Sequence, residues 1–265
     1  MPDPTHVDFG RRSDDYARFR PGFPDSFYDR LEDHLSLDGA TAVDLGTGPG
    51  LVALALAARG ARVTGLDVSP LQIDTARRSA VEQGLDGRTE FHVRPAEATE
   101  IATASVDLVT AGQCWVWFDH DQALAEVVRV LRPGGLHITA HYCYLPRRSA
   151  VAARTEELIL QHNPGWTMAG WAGIYEKQIE LMPQRRMRLV EQFCYDHQQP
   201  FTHEQWRGRI RTCNGVGSGP LTDRQVDDFD HELAALLKRE YPAEPLLIEH
   251  RVWAVITRKP AETSP

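Results

Sequence analysis

Cysteine is scarce in this chain of 265 residues, and its four copies, Cys114, Cys143, Cys194 and Cys213, are scattered with no Cys-x-x-Cys pair. That spacing argues against a thiolate zinc site and a disulfide framework, so no metal is expected and a reducing cytoplasm is the setting that fits. An excess of positive charge is also missing: 29 Lys and Arg face 37 Asp and Glu, a formal net charge of -8. Most nucleic-acid binders spread a basic footprint over phosphates, so no nucleic-acid partner is expected. No apolar run approaches the length of a membrane span, and Met1 to Asp15 carries acids without an apolar segment, so neither a membrane partner nor a secretory signal is expected. Internal repeats are absent. What remains is an ordinary globular composition, 42% hydrophobic and 25% charged, with a length suited to one large α/β core plus an elaboration.

Strand, loop and helix patterns alternate along the first half. Ala42, Val43 and Leu45 form a short apolar run, and Leu51 to Ala58 is a continuous stretch of strong helix formers. Arg62 to Leu66 reads as a second strand ending at Asp67. Ser69, Pro70 and Gln72 then supply an N-cap, a first-turn proline and a capping-box partner for a helix to about Gly84. Glu90 to Arg94 and Val106 to Ala111 read as the third and fourth strands. Asp119 or Asp121 caps a helix with Leu124, Val127, Val128 and Leu131 at the helical period; Pro133-Gly134-Gly135 is expected to end it, and Leu136 to Ala140 to form the fifth strand. Beyond Tyr144 the pattern gives helices over Arg147 to His162, Thr202 to Arg211 and Thr222 to Glu240. Strands are expected over Arg188 to Tyr195 and Leu246 to Thr257, and Asn214 to Gly219 as a flexible connector. The implied fold is α/β, a Rossmann-like doubly wound, mostly parallel seven-stranded sheet with helices on both faces and an inserted lid.

In an open parallel sheet the ligand binds outside the carboxyl ends of the strands, beside the first strand's loop. Here that loop is Asp44-Leu45-Gly46-Thr47-Gly48-Pro49-Gly50. A dinucleotide fingerprint, Gly-x-Gly-x-x-Gly, would put its third glycine at position 51, where this chain has Leu51, so a nicotinamide-dependent oxidoreductase is disfavoured. Asp67 stands at the carboxyl end of the second strand, where a carboxylate can accept both hydroxyls of a ribose. The order Asp44-x-Gly46-x-Gly48-x-Gly50 resembles the first signature motif of class I S-adenosylmethionine-dependent methyltransferases. Ala111-Gly112-Gln113-Cys114-Trp115-Val116-Trp117-Phe118-Asp119 and Leu131-Arg132-Pro133-Gly134-Gly135 resemble the same superfamily, with Val116 where one small-molecule branch has histidine. Pro95-Ala96-Glu97 is similar to its adenine-contacting segment, and Tyr16 to Pro24 is similar to the N-terminal cap of that branch.

The resemblance implies S-adenosyl-L-methionine as cofactor, held by Asp44, Gly46, Thr47, Gly48, Gly50, Asp67, Val68, Ala96, Glu97, Ala111 and Gln113, with Tyr16 and Arg20 at its carboxylate. It implies a cap over residues 1–30 and a cofactor-binding core over 31–145; the residue pattern beyond gives a lid over 146–187 and the end of the core sheet over 188–258, elaborated at 199–245, before a loose tail at 259–265. Methyl transfer is an in-line displacement that needs a base only when the acceptor is protonated. His141, at the carboxyl end of the fifth strand, is the candidate base, with Tyr142 beside it; a buried histidine bonded to backbone is the competing reading. Trp115, Trp117, Tyr144, Trp166, Trp171 and Tyr175 are the candidate pocket wall. An aromatic or natural-product-like small molecule of secondary metabolism is the expected acceptor, taken by a monomer or homodimer. Arg185, Arg186, Arg188, Arg207, Arg209 and Arg211 are forks suited to an anion. If one or two face the pocket, carboxyl O-methylation of a small acid becomes the better reading, as in trans-aconitate methyltransferases. A protein that binds the cofactor without catalysis is the third alternative. No Asn-Pro-Pro-Tyr or Asp-Pro-Pro-Tyr tetrad follows the fourth strand and no Pro-Cys pair occurs, so the local marks of DNA base methylation are missing.

Overall fold

A computed structural model describes residues 7–181 and 187–261. Arg185, Arg186 and the tail beyond residue 261 lie outside the described residues. In chain order the helices are α1 (Ser13–Phe19), α2 (Asp25–Glu32), α3 (Leu51–Ala58), α4 (Pro70–Glu82), α5 (His120–Val130), α6 (Ala150–His162), α7 (Glu176–Leu181), α8 (His203–Arg211) and α9 (Asp223–Glu240). The strands are β1 (Thr41–Leu45), β2 (Arg62–Asp67), β3 (Thr89–Val93), β4 (Val106–Gly112), β5 (Leu131–Tyr144), β6 (Arg188–Phe201) and β7 (Leu246–Arg258). Helix starts follow their caps. Ser69 accepts the Gln72 N–H at 3.4 Å and Asp119 the Gln122 N–H at 3.1 Å, while Thr202 with Gln205 and Thr222 with Gln225 form reciprocal capping boxes.

The seven strands run in the order β3-β2-β1-β4-β5-β7-β6. Pairs β3–β2, β2–β1, β1–β4 and β4–β5 are parallel. β7 runs against β5: the Gly134 N–H meets the Lys259 carbonyl at one end, and the Leu145 N–H meets the Glu249 carbonyl at the other. Side-chain pairs Arg251–Asp196 and Gln198–Glu249 give β6 the direction opposite to β7. The strand order reverses between β1 and β4, and ligands of such sheets bind at that point, outside the carboxyl ends.

Two compact units divide the chain. The core unit comprises residues 22–141, 175–194 and 253–265. Its interior is built from strand residues such as Val43, Leu45, Leu66, Leu108, Val109 and Ile138, with the all-apolar α3 supplying Ala53, Leu54 and Leu56. The helical unit comprises residues 1–21, 142–174 and 195–252. Its own core gathers Ile159, Trp206, Ile210, Phe229, Leu233 and Leu237, among others. Trp206, fully buried, donates its indole N–H to Thr155 Oγ1 at 3.0 Å.

Three features differ from the sequence reading. β5 begins at Leu131, directly after α5, so Pro133-Gly134-Gly135 is part of a strand with a register break opposite Val106 and Leu108. The backbone of Lys259 pairs with Gly134 and Gly135 and so keeps them in a ladder. Lys259 itself does not open a loose tail: its Nζ donates to the carbonyls of Val128 and Leu131 at 2.8 and 2.7 Å, covering the end of α5. The segment Asn214 to Gly219 is tightly turned and largely buried instead of an open connector, and a Cβ on Gly215 would lie 2.8 Å from the Trp166 ring.

Candidate active site

The loop after β1 is shaped by two carboxylates. Asp44 is buried at the end of β1 and accepts the Thr47 hydroxyl at 2.7 Å and the Thr110 hydroxyl of β4 at 2.6 Å. Burial pushes its carboxyl up to about 6 despite those two bonds. Asp44 thus ties the loop to β4 and has no exposed surface to offer a ligand; it positions where direct cofactor contact was expected. The Thr47 N–H closes on the Leu66 carbonyl of β2 at 2.9 Å. Gly46 has φ +58°, and a Cβ there would stand 2.7 Å from the Cys114 Cβ, so both its backbone and its neighbour require glycine.

Asp67, at the end of β2, accepts the Gly48 N–H on one oxygen and the Ser69 N–H on the other, each at 2.9 Å. Its carboxylate is oriented by backbone on both sides and each oxygen keeps acceptor capacity. Burial raises its carboxyl above the ordinary value. Val68 and Leu71 follow it with 69% and 56% of their surface exposed, an apolar step beside a fixed carboxylate. On the next strand's loop Ala96 is buried, and Glu97 accepts the Asp119 N–H at 2.9 Å, which commits one of its oxygens to the start of α5.

At the carboxyl end of β4, Ala111 is buried and Gln113 sits at φ +66°, with its N–H on the Ala140 carbonyl at 2.8 Å. A left-handed non-glycine residue is a store of strain that surroundings must hold. Trp115 and Trp117 follow in a 3-10 turn. Trp115 is fully buried between Phe118, His120 and His137, with ring centroids 4.9 Å from His137, so it belongs to the core and cannot line a pocket. Trp117 is half-buried.

His141 is also enclosed. Its ring stacks on Tyr175 with centroids 3.4 Å apart, and its Nε2 meets the Gln178 side chain, which also takes the Thr139 hydroxyl at 2.9 Å. Burial lowers its pKa to about 3, with the Gln178 bond opposing. A ring that stays neutral to such low pH is a weak base, so these surroundings do not suit the base role expected of it. Tyr175 is its stacking partner and is buried too.

In the helical unit the Arg20 guanidinium lies 4.7 Å from the Tyr16 ring centroid and donates to the Thr212 hydroxyl at 2.8 Å and carbonyl at 3.1 Å. Tyr142 is buried and donates its hydroxyl to Gln199 at 3.0 Å. Tyr144 is buried beneath the Arg209 guanidinium. Trp166 caps that unit's core and donates to Asn214 at 3.2 Å, whereas Trp171 is 39% exposed. Of the arginines expected to bind an anion, Arg188 is exposed, Arg207 and Arg211 pair with Asp230, and Arg209 alone is buried without a carboxylate partner among the described residues. Sequence reasoning missed Thr110, Gln178 and His250. Single polar residues inside apolar strands or helices carry no periodic signal, and only their partners mark them.

Comparison with known proteins bears on this geometry. A family model described as "Methyltransferase domain" matches residues 43–139, from within β1 to within β5. Residues 43–139 belong to the methyltransferase domain family. An uncharacterized methyltransferase of Mycobacterium tuberculosis is 36% identical over 129 residues, 49% of this chain and 49% of the relative. A ubiquinone biosynthesis O-methyltransferase of Methylobacterium is 33% identical over 159 residues, 58% of this chain and 59% of that one. The chain thus spans about half the length of the curated relatives it matches. A solved structure of a proposed type II methyltransferase from Anaeromyxobacter dehalogenans covers 92% of this chain and 100% of its own, with 25% identity and a TM-score of 0.66. The seven-stranded sheet has the class I methyltransferase fold, mostly parallel with antiparallel strands at one end, and among the described residues no helix is long and apolar enough to cross a membrane.

Proposed function

We propose that the chain is an S-adenosylmethionine-dependent methyltransferase acting on a small molecule. The observation that carries this reading is the pairing of the glycine loop with Asp67: the Gly48 amide fixes a carboxylate whose remaining lone pairs point to acceptor duty, next to exposed Val68 and Leu71. A ribose with two hydroxyls and an apolar purine face would complete these groups. The loop suits the rest of the cofactor: a Cβ on Gly48 would meet nothing within 4 Å, so the backbone there is open to close approach. When bound, S-adenosylmethionine supplies an electrophilic methyl group for a single in-line displacement.

This chain's own contribution is to hold and orient. Asp44 and Thr110 keep the loop at the end of β1, and Gln113 is locked left-handed at the end of β4. The methyltransferase-like names of the matching relatives, including the ubiquinone biosynthesis enzyme, agree with a small-molecule acceptor. Calorimetry tests the reading. S-adenosylmethionine and S-adenosylhomocysteine should bind and NADH should not, and Asp67→Ala should weaken both by about 1 to 3 kcal/mol, the range for lost hydrogen bonds to a charged group. Tight NADH binding would sink the proposal.

A further inference from the structure

A positive charge is buried in the helical unit with no carboxylate to meet it. Arg209 of α8 is 4% exposed. Its Nη1 donates to Cys213 Sγ at 3.0 Å, and its guanidinium carbon stands 4.8 Å from the Tyr144 ring centroid. The Nε, on the edge that grips carboxylates, is buried with no partner at all. Its neighbours on the helix are treated differently: Arg207 and Arg211 both reach Asp230. Glu156, the one buried carboxylate of this unit among the described residues, is taken by the Gly170 N–H at 2.7 Å and by the Tyr144 hydroxyl.

A second orphan lies against the same tyrosine pair. His250 of β7 is fully buried, with ring centroids 5.0 Å from Tyr142 and 6.3 Å from Tyr144. Its Nδ1 faces the Ile248 carbonyl at 3.0 Å, so Nδ1 carries the proton and Nε2 presents a lone pair. That Nε2 is buried and unpartnered. Burial first, and the Arg209 charge next, lower the pKa of His250 to about 3, so its Nε2 remains an acceptor at neutral pH. Buried polar atoms are nearly always paired, and an unpaired buried charge is more costly still. One orphan donor and one orphan acceptor beside Tyr144, which ends β5 at its carboxyl end, call for a ligand with an anionic oxygen and a hydroxyl.

We propose that Arg209 and His250 are the recognition pair for a hydroxy-carboxylate, whose carboxylate takes the Arg209 Nε–H and whose hydroxyl donates to His250 Nε2.

Calorimetry on the full chain tests it, with salicylate and 4-hydroxybenzoate as probes, benzoate and 4-hydroxybenzyl alcohol as controls, and titrations with and without S-adenosylhomocysteine. At least one hydroxy acid should bind about tenfold more tightly than either control, the size expected of one charge-assisted bond. Arg209→Gln should remove the advantage over the neutral alcohol, and His250→Phe the advantage over benzoate, with S-adenosylhomocysteine affinity unchanged in both. Should Arg209→Gln not fold, Arg209→Lys keeps the charge, loses the flat edge and should still weaken the hydroxy acids severalfold. Equal binding of hydroxy acids and controls overturns the proposal. So does an Arg209 variant that weakens S-adenosylhomocysteine as much as the hydroxy acid, because the anion would then be the cofactor's own carboxylate. Hydroxy-acid binding without any S-adenosylhomocysteine binding would leave the anion site standing and remove the methyltransferase reading.

Discussion

Replacing Asp44 with asparagine isolates a single buried charge. In the native chain the carboxyl is raised from 3.8 to about 6, chiefly because its burial disfavours the ionised form, while the Thr47 and Thr110 hydroxyls oppose the shift. At 1.36 kcal/mol per unit, two units correspond to about 3 kcal/mol. Between pH 4 and 6 the folded chain holds the Asp44 proton more tightly than the unfolded chain does. Stability from this residue is therefore full below about pH 4, declines as pH rises through 6, and is lost by pH 7. Asparagine has no proton to lose. The stability difference, native minus Asp44→Asn, should therefore fall by about 3 kcal/mol from pH 4 to pH 7 in urea unfolding curves taken at half-unit steps. Other titrating groups are shared by both proteins and cancel in the difference. Parallel pH profiles for the two would refute the reasoning, since they would mean that Asp44 ionises in the fold as it does in water.

Two further substitutions probe the same loop and the strand beside it. Gly48→Ala should cost about 1 to 2 kcal/mol for the left-handed backbone alone, whereas Gly46→Ala should cost a further 1 to 3 kcal/mol for the overlap with Cys114; thermal melts that give equal losses would show that Cys114 yields freely. In proton NMR of the imidazole C–H groups, His137, His141 and His250 should show no titration between pH 5 and 8, as burial holds each near 3. Titration of His141 in that window would restore it as a candidate base. His141→Ala should also destabilise by about 1 to 3 kcal/mol, because Gln178 loses a buried partner.

Much of the core was legible in the residue order. The alternation of Thr41–Leu45, Leu51–Ala58, Arg62–Asp67 and Pro70–Glu82 appears in the structure within a residue or two of the expected bounds. Ser69 caps the helix it was expected to cap, and of the two candidate aspartates it is Asp119 that caps α5. These are local effects: period, propensity and capping act over a few residues and need no distant partner. Where the outcome depended on a distant strand, the reading slipped. Pro133-Gly134-Gly135 signals a loop, and only the pairing with Lys259, more than a hundred residues away in sequence, turns it into strand. The glycine-rich stretch from Asn214 looks mobile until Trp166 packs on it.

The same division holds for chemistry. The sequence by itself determined the cofactor loop, because a glycine at a left-handed turn and an acid at a strand's end are marked by the strand, turn and helix signals beside them, and the parallel alignment of β1 and β2 then brings Gly48 to Asp67. It could not determine which polar side chains face water and which are sealed away. His141, expected as a base, is shut in by Tyr175 and Gln178; Trp115, expected in a pocket wall, is core; and Arg209, one of six similar arginines in the sequence, is the one that among the described residues is buried without a carboxylate partner. Burial is a property of the assembled packing, and it is burial that decides whether a histidine stays neutral, an aspartate keeps its proton, or an arginine waits for an anion.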